Sequence, residues 1–459
     1  VVFAVFSVAL CVQAADLPGA PPQAGRFSSL IARGASDADL DTAYGCSGCP
    51  VVLISIDTLR ADHLGAYGYG KPTSPSIDRF AADSVLFANA IAAAPSTLRS
   101  HSSMFTSVHP YQHGARTRPP VPLPEEALTI AELLRGEGYT TAAFTSGGQL
   151  DPVYGIAQGF DVYDIQGQRR FREVVEDALA WVDRAAPERL FLFLHTYEVH
   201  APYDPPQEYL DLLPTADGSD TAGPVSIDTI DRLNRVIESD RSLDSADLAR
   251  VVHAYDGEIR SVDSGFAALL QRLRQRGLYD ASLILLTADH GEEFGEHDVI
   301  GRHSHTLHDE VVKVPLVVKF PRTAFAGSRI EAQVRGIDLA PTITDVVGID
   351  APGSFEGLSL VGAITGADAV VRWSLSERGG ESPSFALRTD RWKLYDGRLF
   401  DLLADPGERA DVSDRYPAVR EAMETRLADA LTLPAVGEAE TVEPSEEVLR
   451  QLRALGYIR

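Results

Sequence analysis

The sequence predicts an α/β protein with a mostly parallel central sheet flanked by helices, followed by a smaller C-terminal α+β subdomain with an antiparallel sheet. Three observations carry this. Short apolar runs of the kind buried on both faces of a sheet recur at Val51–Ile56, Leu190–Leu194 and Ser282–Thr287. Amphipathic helical stretches alternate with them. From about Asp350 the pattern changes to short strand-like segments and one helix.

The chain is 459 residues long and 44% apolar, enough for one large domain and a smaller one. Its net charge of −25 is spread along the chain, which argues against nonspecific nucleic-acid binding and against a polybasic membrane patch. The first residues, VVFAVFSVALCVQAAD, read as a signal peptide over 1–15 whose start is truncated, with Val12-Gln13-Ala14 as an A-x-A-like cleavage site. Export to the periplasm or the cell exterior is expected. A lipid anchor through Cys11 fits less well, because Leu10 is too large for the preceding position. The run is short for an integral membrane span. Cys46 and Cys49 form either a small disulfide loop or two unpaired thiols, since two ligands are too few for structural zinc.

Residues 16–49 read as a linker, rich in Pro, Gly, Ala and Ser over most of its length, and 50–350 as the main domain. The run VVLISIDTLRADHLGAYGY opens that domain: a buried strand, then Asp57 where a parallel strand emerges into the ligand crevice. Pro75–Asn89 shows apolar residues at helical spacing and then a short apolar stretch. Pro95 and Ser96 lead into a helix with Thr97 at its first turn. Leu128–Arg135 is helical, Thr140–Thr145 is a strand, and Glu173–Arg184 is an amphipathic helix. Leu190–Leu194 is bounded by His195, with His200 in the loop beyond. Residues 213–245 read as an insertion or lid, His253–Gln275 as a long helix, and Val314–Phe320 as a strand with Pro315 near its start. In the subdomain 351–459, Phe385–Arg388, Trp392–Tyr395 and Arg398–Leu402 suggest antiparallel strands before a helix over Pro417–Leu431.

Three buried strands thus end in residues able to bind metal: Asp57, then His195 or His200, then Asp289 with His290. In a parallel sheet those ends share one edge. Mixed carboxylate and imidazole ligation predicts a divalent ion, zinc or manganese by preference and calcium if oxygen ligands dominate. Of His303, His305 and His308, one is expected to serve the same site.

The chain resembles the sulfatase family of the alkaline phosphatase superfamily. The resemblance is carried by VVLISIDTLRADHLGAYGY, PTSPSIDRFAADSVLFANA, HSSMFTSVHPYQHG, LFLFLHTYEVHAPYDPP, the long stretch through LILLTADHGEEFGEH, VPLVVKFP, and the later WKLYDGRLFDLLADPGE. It implies an alkaline-phosphatase-like fold and metal ligands at Asp57, Asp289 and His290. Thr58 stands where many sulfatases have a further Asp ligand. Thr97 takes the place of the Cys or Ser that is oxidised to formylglycine, and threonine cannot give that aldehyde, so no formylglycine is expected. The family's G-K-W-H stretch is replaced by Thr145-Ser146-Gly147-Gly148, and its Arg by His101.

Threonine is the nucleophile in relatives acting on phosphate diesters, so the resemblance implies Thr97 as a metal-bound nucleophile. A bound divalent ion lowers a hydroxyl's pKa, as it lowers that of water to roughly 7 on zinc. Ser96 and Ser100 are fallback nucleophiles. His200 and His303 are assigned to protonating the leaving oxygen or contacting the anion, and Arg99, His101 and Arg302 to replacing the missing cations. The expected function is hydrolysis of sulfate, phosphate or phosphonate esters, with an anionic ester as the partner. The alternatives are transfer of a phosphate-linked group to a cell-surface acceptor, and a non-catalytic binding protein on the same fold. Specificity would be read in 149–170 and 204–250.

Overall fold

A computed structural model describes residues 44–458 apart from 168, 215–222, 240–242, 368–370 and 381. The signal-peptide and lipid-anchor readings, and most of the linker, fall outside the described residues. Cys46 and Cys49 are joined as a disulfide.

The main domain is organised on one sheet. Its strands in chain order are β1 (Val51–Ile56), β2 (Val85–Ile91), β3 (Thr140–Phe144), β4 (Val162–Asp164), β5 (Leu190–Thr196), β6 (Leu283–Thr287), β7 (Lys313–Lys319), β8 (Ser328–Ile330) and β9 (Val334–Arg335). Their order across the sheet is β8-β2-β7-β6-β1-β5-β3-β4, with β9 also on β2. Only β7 runs antiparallel to its neighbours, and its ladder with β2 shifts register around Pro315, which has no amide hydrogen to give. The central β1 is buried at all six positions, as a run with Ser55 as its one polar residue predicts. Strand β5 continues two residues beyond the apolar run, so His195 lies within the strand rather than after it.

The helices that position the site are α1 (Pro75–Ala82), α2 (Thr97–Thr106), α3 (Ile130–Gly136), α4 (Phe171–Ala185), α5 (Ile227–Glu238), α6 (Ser245–Gln275) and α7 (Leu339–Val347). All ten residues of α2 are buried, so its N-terminus is fixed against the strand ends. The α6 helix begins eight residues earlier than the sequence pattern suggested, capped by the Asp244 side chain on the Ala246 amide. Within the expected insertion, α5 buries Ile230 and Leu233 against the core. Among the described residues, no helix is long and apolar enough to cross a membrane.

The C-terminal subdomain is an antiparallel sheet of β10 (Ser374–Arg378), β11 (Ser384–Arg388), β12 (Trp392–Tyr395) and β13 (Arg398–Asp401), covered by α8 (Pro417–Ala430). Leu375, Leu387, Leu394, Leu399 and Met423 form the core between sheet and helix. A last helix, α9 (Glu446–Ala454), was not apparent in the sequence.

The loop after β5 is tied down by a buried polar network. Glu198 accepts from the Phe171 amide (2.7 Å) and Ser261 Oγ (2.5 Å), and Glu258 accepts from the Asp204 amide (2.7 Å). Arg170 bridges the two carboxylates. Burial and the neighbouring Glu198 charge, against the pull of Arg170, raise Glu258 to about 8. A carboxyl raised on folding stays protonated while its unfolded counterpart ionises. Stability is therefore lost as pH climbs from the ordinary carboxylate range toward 8. Glu258→Gln should remove that slope: relative to wild type it gains on the order of a few kcal/mol between pH 5 and pH 8, read as melting temperature across pH. An offset independent of pH would contradict this.

Candidate active site

The β1 register sets Ser55 opposite both His195 on β5 and Thr287 on β6. Asp57 and Asp289, each just past those pairs, consequently emerge at one edge, both fully buried. Thr97, first residue of α2, donates from Oγ1 to Asp57 Oδ2 at 3.1 Å. Asp57, Asp289 and His290 each offer a ligand atom, and the three atoms lie within 4.8 Å of one another.

Each of these three residues leaves one buried atom without a hydrogen-bond partner: Asp57 Oδ1, Asp289 Oδ2 and His290 Nε2. The tautomer of His290 follows from its surroundings. Its Nδ1 faces the Gly291 carbonyl at 3.0 Å, which can only accept, so Nδ1 is the donor there and Nε2 is the ring nitrogen left pointing inward, 3.4 Å from Asp289 Oδ2. Orphaned ligand atoms on converging carboxylates and an imidazole fit a divalent cation, since such groups are otherwise costly to bury. A second group of metal-capable residues, His101, His195 and Asp289, shares Asp289.

Burial and the adjacent Asp289 charge hold the Asp57 carboxyl well above the carboxylate range. Burial acts the same way on Asp289, but the His290, His101 and His195 imidazoles outweigh it and hold Asp289 below that range. Thr58 takes a left-handed conformation (φ 55°), unusual for a β-branched residue. That turn aims its amide at Asp289 Oδ1 (3.4 Å) and folds its hydroxyl back onto the Asp57 carbonyl (2.8 Å). The Thr58 hydroxyl therefore does not enrich the centre in oxygen ligands.

His200 and His303 lie beside this group, their rings 4.9 Å apart and His303 4.3 Å from His290. Burial first, then neighbouring histidines, lowers His200 to about 3 and His303 well below the usual imidazole value. His200 Nδ1 donates to the Ala201 carbonyl at 2.5 Å, which leaves Nε2 buried, unprotonated and unpaired.

Three expected substrate contacts are otherwise engaged. Arg99 is ion-paired with the buried Glu377 of β10, and Arg302 with Asp231 of α5. His101, one helical turn beyond Thr97, points down into the sheet end: Nδ1 donates to the Thr97 carbonyl (2.8 Å) and Nε2 accepts from Ser55 Oγ (2.9 Å). It is a positioning residue, and it explains the one polar residue of β1. The fallback nucleophile Ser100 donates to the Asp289 carbonyl at 2.7 Å.

His195, which the sequence offered as an alternative to His200, lies here too, and sequence reasoning missed Glu292 as a site residue and Tyr457. His195 Nε2 is 3.4 Å from Asp57 Oδ2, with burial keeping the ring neutral. Glu292, beside His290, is buried and bonded to Tyr203 OH at 3.2 Å, and its Oε1 is 3.5 Å from His303 Nδ1. Tyr457, near the end of the chain, reaches Thr97 Oγ1 with its hydroxyl at 3.1 Å. Glu292 could have been found from its place beside His290, whereas Tyr457 carried no local signal.

Residues 50–349 match the Sulfatase family, and residues 295–432 match the N-sulphoglucosamine sulphohydrolase C-terminal family. The chain belongs to the sulfatase family. By that membership it is a hydrolase acting on sulfuric or phosphoric ester bonds. It is 24% identical to an ulvan-active sulfatase of Formosa agariphila, over 78% of this chain and 75% of that one. It is 23% identical to a delta 4,5-hexuronate-2-O-sulfatase of Bacteroides thetaiotaomicron, over 79% and 84%. The phosphonate monoester hydrolase of Agrobacterium radiobacter superposes with a TM-score of 0.69 at 20% identity, covering 87% of this chain and 98% of that one. The sulfatase fold is thus the alkaline-phosphatase-like sheet described above.

Zinc or manganese should raise the melting temperature of the wild type by a few degrees at saturating ion, since about 100 Kd of ligand contributes roughly 2.7 kcal/mol. Asp57→Asn and His290→Ala should each remove most of that shift. Equal shifts in wild type and Asp57→Asn would show that the ion binds elsewhere.

Proposed function

We propose that the protein is an exported, metal-dependent hydrolase of monoanionic sulfate, phosphonate or phosphate-diester substrates, with Thr97 as nucleophile. The observation that carries this is the position of Thr97 Oγ1, at the buried start of α2 and hydrogen-bonded to Asp57 beside three orphaned ligand atoms. The Cys46–Cys49 disulfide suits an oxidising compartment.

Asp57, Asp289 and His290, with Thr97 Oγ1 on Asp57, would hold the ion, and an inward imidazole nitrogen with fewer oxygen donors than calcium takes suits zinc or manganese. When bound, such an ion supplies a lowered pKa at a hydroxyl and neutralises charge on the ester oxygens. The residues do the rest. Asp57 Oδ2 fixes the Thr97 hydroxyl, and the α2 N-terminus adds a positive end for the incoming anion. Thr97 attacks phosphorus or sulfur in line, its proton passing to Asp57 Oδ2 as the leaving oxygen departs opposite. His200 Nε2, unprotonated in the resting site, first takes up a proton beside the anion and then gives it to that oxygen. Water then cleaves the Thr97 ester to release the acid and restore the hydroxyl. His303 lies alongside as a second contact.

Charge favours a monoanion. Asp57, Asp289 and Glu292 already crowd the site, and the Arg99 and Arg302 guanidiniums are spent on Glu377 and Asp231. A dianionic phosphate monoester would add repulsion that Arg99 and Arg302, already paired, do not offset. The lean toward phosphorus esters rests on threonine in the place of the formylglycine precursor.

Aryl sulfate, phosphate monoester, phosphate diester and phosphonate monoester should be compared on metal-loaded protein. Phosphonate and diester turnover should exceed sulfate, with the phosphate monoester last, and Thr97→Ala should lower kcat at least 10³-fold on each, by about 4 kcal/mol. Full turnover in Thr97→Ala at unchanged metal affinity would remove Thr97 as nucleophile. Efficient sulfate turnover without phosphorus-ester turnover would overturn the substrate preference.

A further inference from the structure

The resting centre is closed. Asp57, Thr97, Asp289 and His290 are all fully buried, and what lies over Thr97 is the end of the chain itself. The α9 helix, capped by Ser445 on the Val448 amide, seats Val448, Leu452 and Leu455 on the main domain. Gly456 (φ 77°) then turns the chain, with the Tyr457 amide bonding the Leu452 carbonyl at 2.9 Å, and sends the Tyr457 ring inward.

Thr97 Oγ1 bonds Asp57 Oδ2, and Tyr457 lies with its hydroxyl 3.1 Å from the same Oγ1. Its ring lies 5.1 Å from His200 and 5.6 Å from His303. The phenol therefore occupies the space between the nucleophile and the two histidines assigned to the leaving group, where the reacting ester must sit.

The seat is cut for this segment. Gln451 Oε1 accepts from the Gly148 amide at 2.9 Å. A Cβ on Gly147 would stand 2.6 Å from that oxygen, and one on Gly148 3.1 Å from Leu455. The two glycines of Thr145–Gly148, which stand where the sequence lacks cationic side chains, thus leave room for α9. Before α9, residues 434–445 form no helix or strand and are tied to the body by Val436 N to Gln112 O (2.8 Å) and Val442 N to Pro120 O (3.0 Å).

We propose that residues 445–458 form a gate over the candidate active site, with Tyr457 seated on Thr97 in place of substrate, and that this gate lifts to admit the ester. The inference rests on the hydrolase reading for its purpose but not for its test. His200 and His303, lying beneath the segment, serve as reporters.

Carbethoxylation of His200 and His303 by diethyl pyrocarbonate, followed by mass spectrometry, should run at least tenfold faster in Tyr457→Ala and in Leu455→Ala than in wild type. Aryl-ester kcat/KM should rise in Tyr457→Ala. Faster labelling with no turnover of any ester by any form would uphold the gate and defeat the hydrolase reading. Unchanged labelling in both variants would overturn the gate. So would a fall in kcat at constant KM in Tyr457→Ala, which would make Tyr457 a catalytic donor instead.

Discussion

Two buried carboxylates facing one another are the constraint on which the rest depends. Asp57 and Asp289 arrive from neighbouring parallel strands whose register leaves no freedom to separate them. Buried acids at such a distance oppose each other's ionisation, visible in one carboxyl held high and its partner held low. Neutralisation by a cation would resolve the conflict, and among the described residues it is the imidazole nitrogens of His290 and His195 that share the space.

Every other part of the site answers to that pair. Thr58 accepts a strained turn to aim an amide at Asp289. His101 locks the start of α2 to the end of β1, so Thr97 cannot drift from Asp57. The C-terminal subdomain participates at a distance: Glu377 of β10 takes up Arg99, and the buried Lys393 of β12 joins Asp309 (2.9 Å) across the subdomain boundary and Glu408 (2.5 Å) within the subdomain. Breaking a buried pair of this kind costs about 3–5 kcal/mol, so the smaller sheet is firmly docked.

The sheet and the metal-capable acids were legible in the sequence because both depend on local pattern. Short, mainly apolar runs announced β1, β5 and β6, and residues at parallel strand ends must converge. What was not legible depends on side-chain direction. Arg99 and Arg302 stood close to the site in sequence, yet each found a carboxylate on a distant element, Glu377 and Asp231. His101 occupied the family's cation position but, one helical turn past Thr97, faces the sheet. Tyr457 is 360 residues from Thr97, and no periodicity encodes that approach. The short strands β4, β8 and β9 escaped notice because two or three residues carry too little alternation to read.

The most direct measurement is anomalous diffraction from crystals of the protein grown with zinc or manganese. The account requires a single strong peak bounded by Asp57, Thr97, Asp289 and His290. A peak at another cluster, with Asp57 and Asp289 left facing each other and no ion between them, would contradict it.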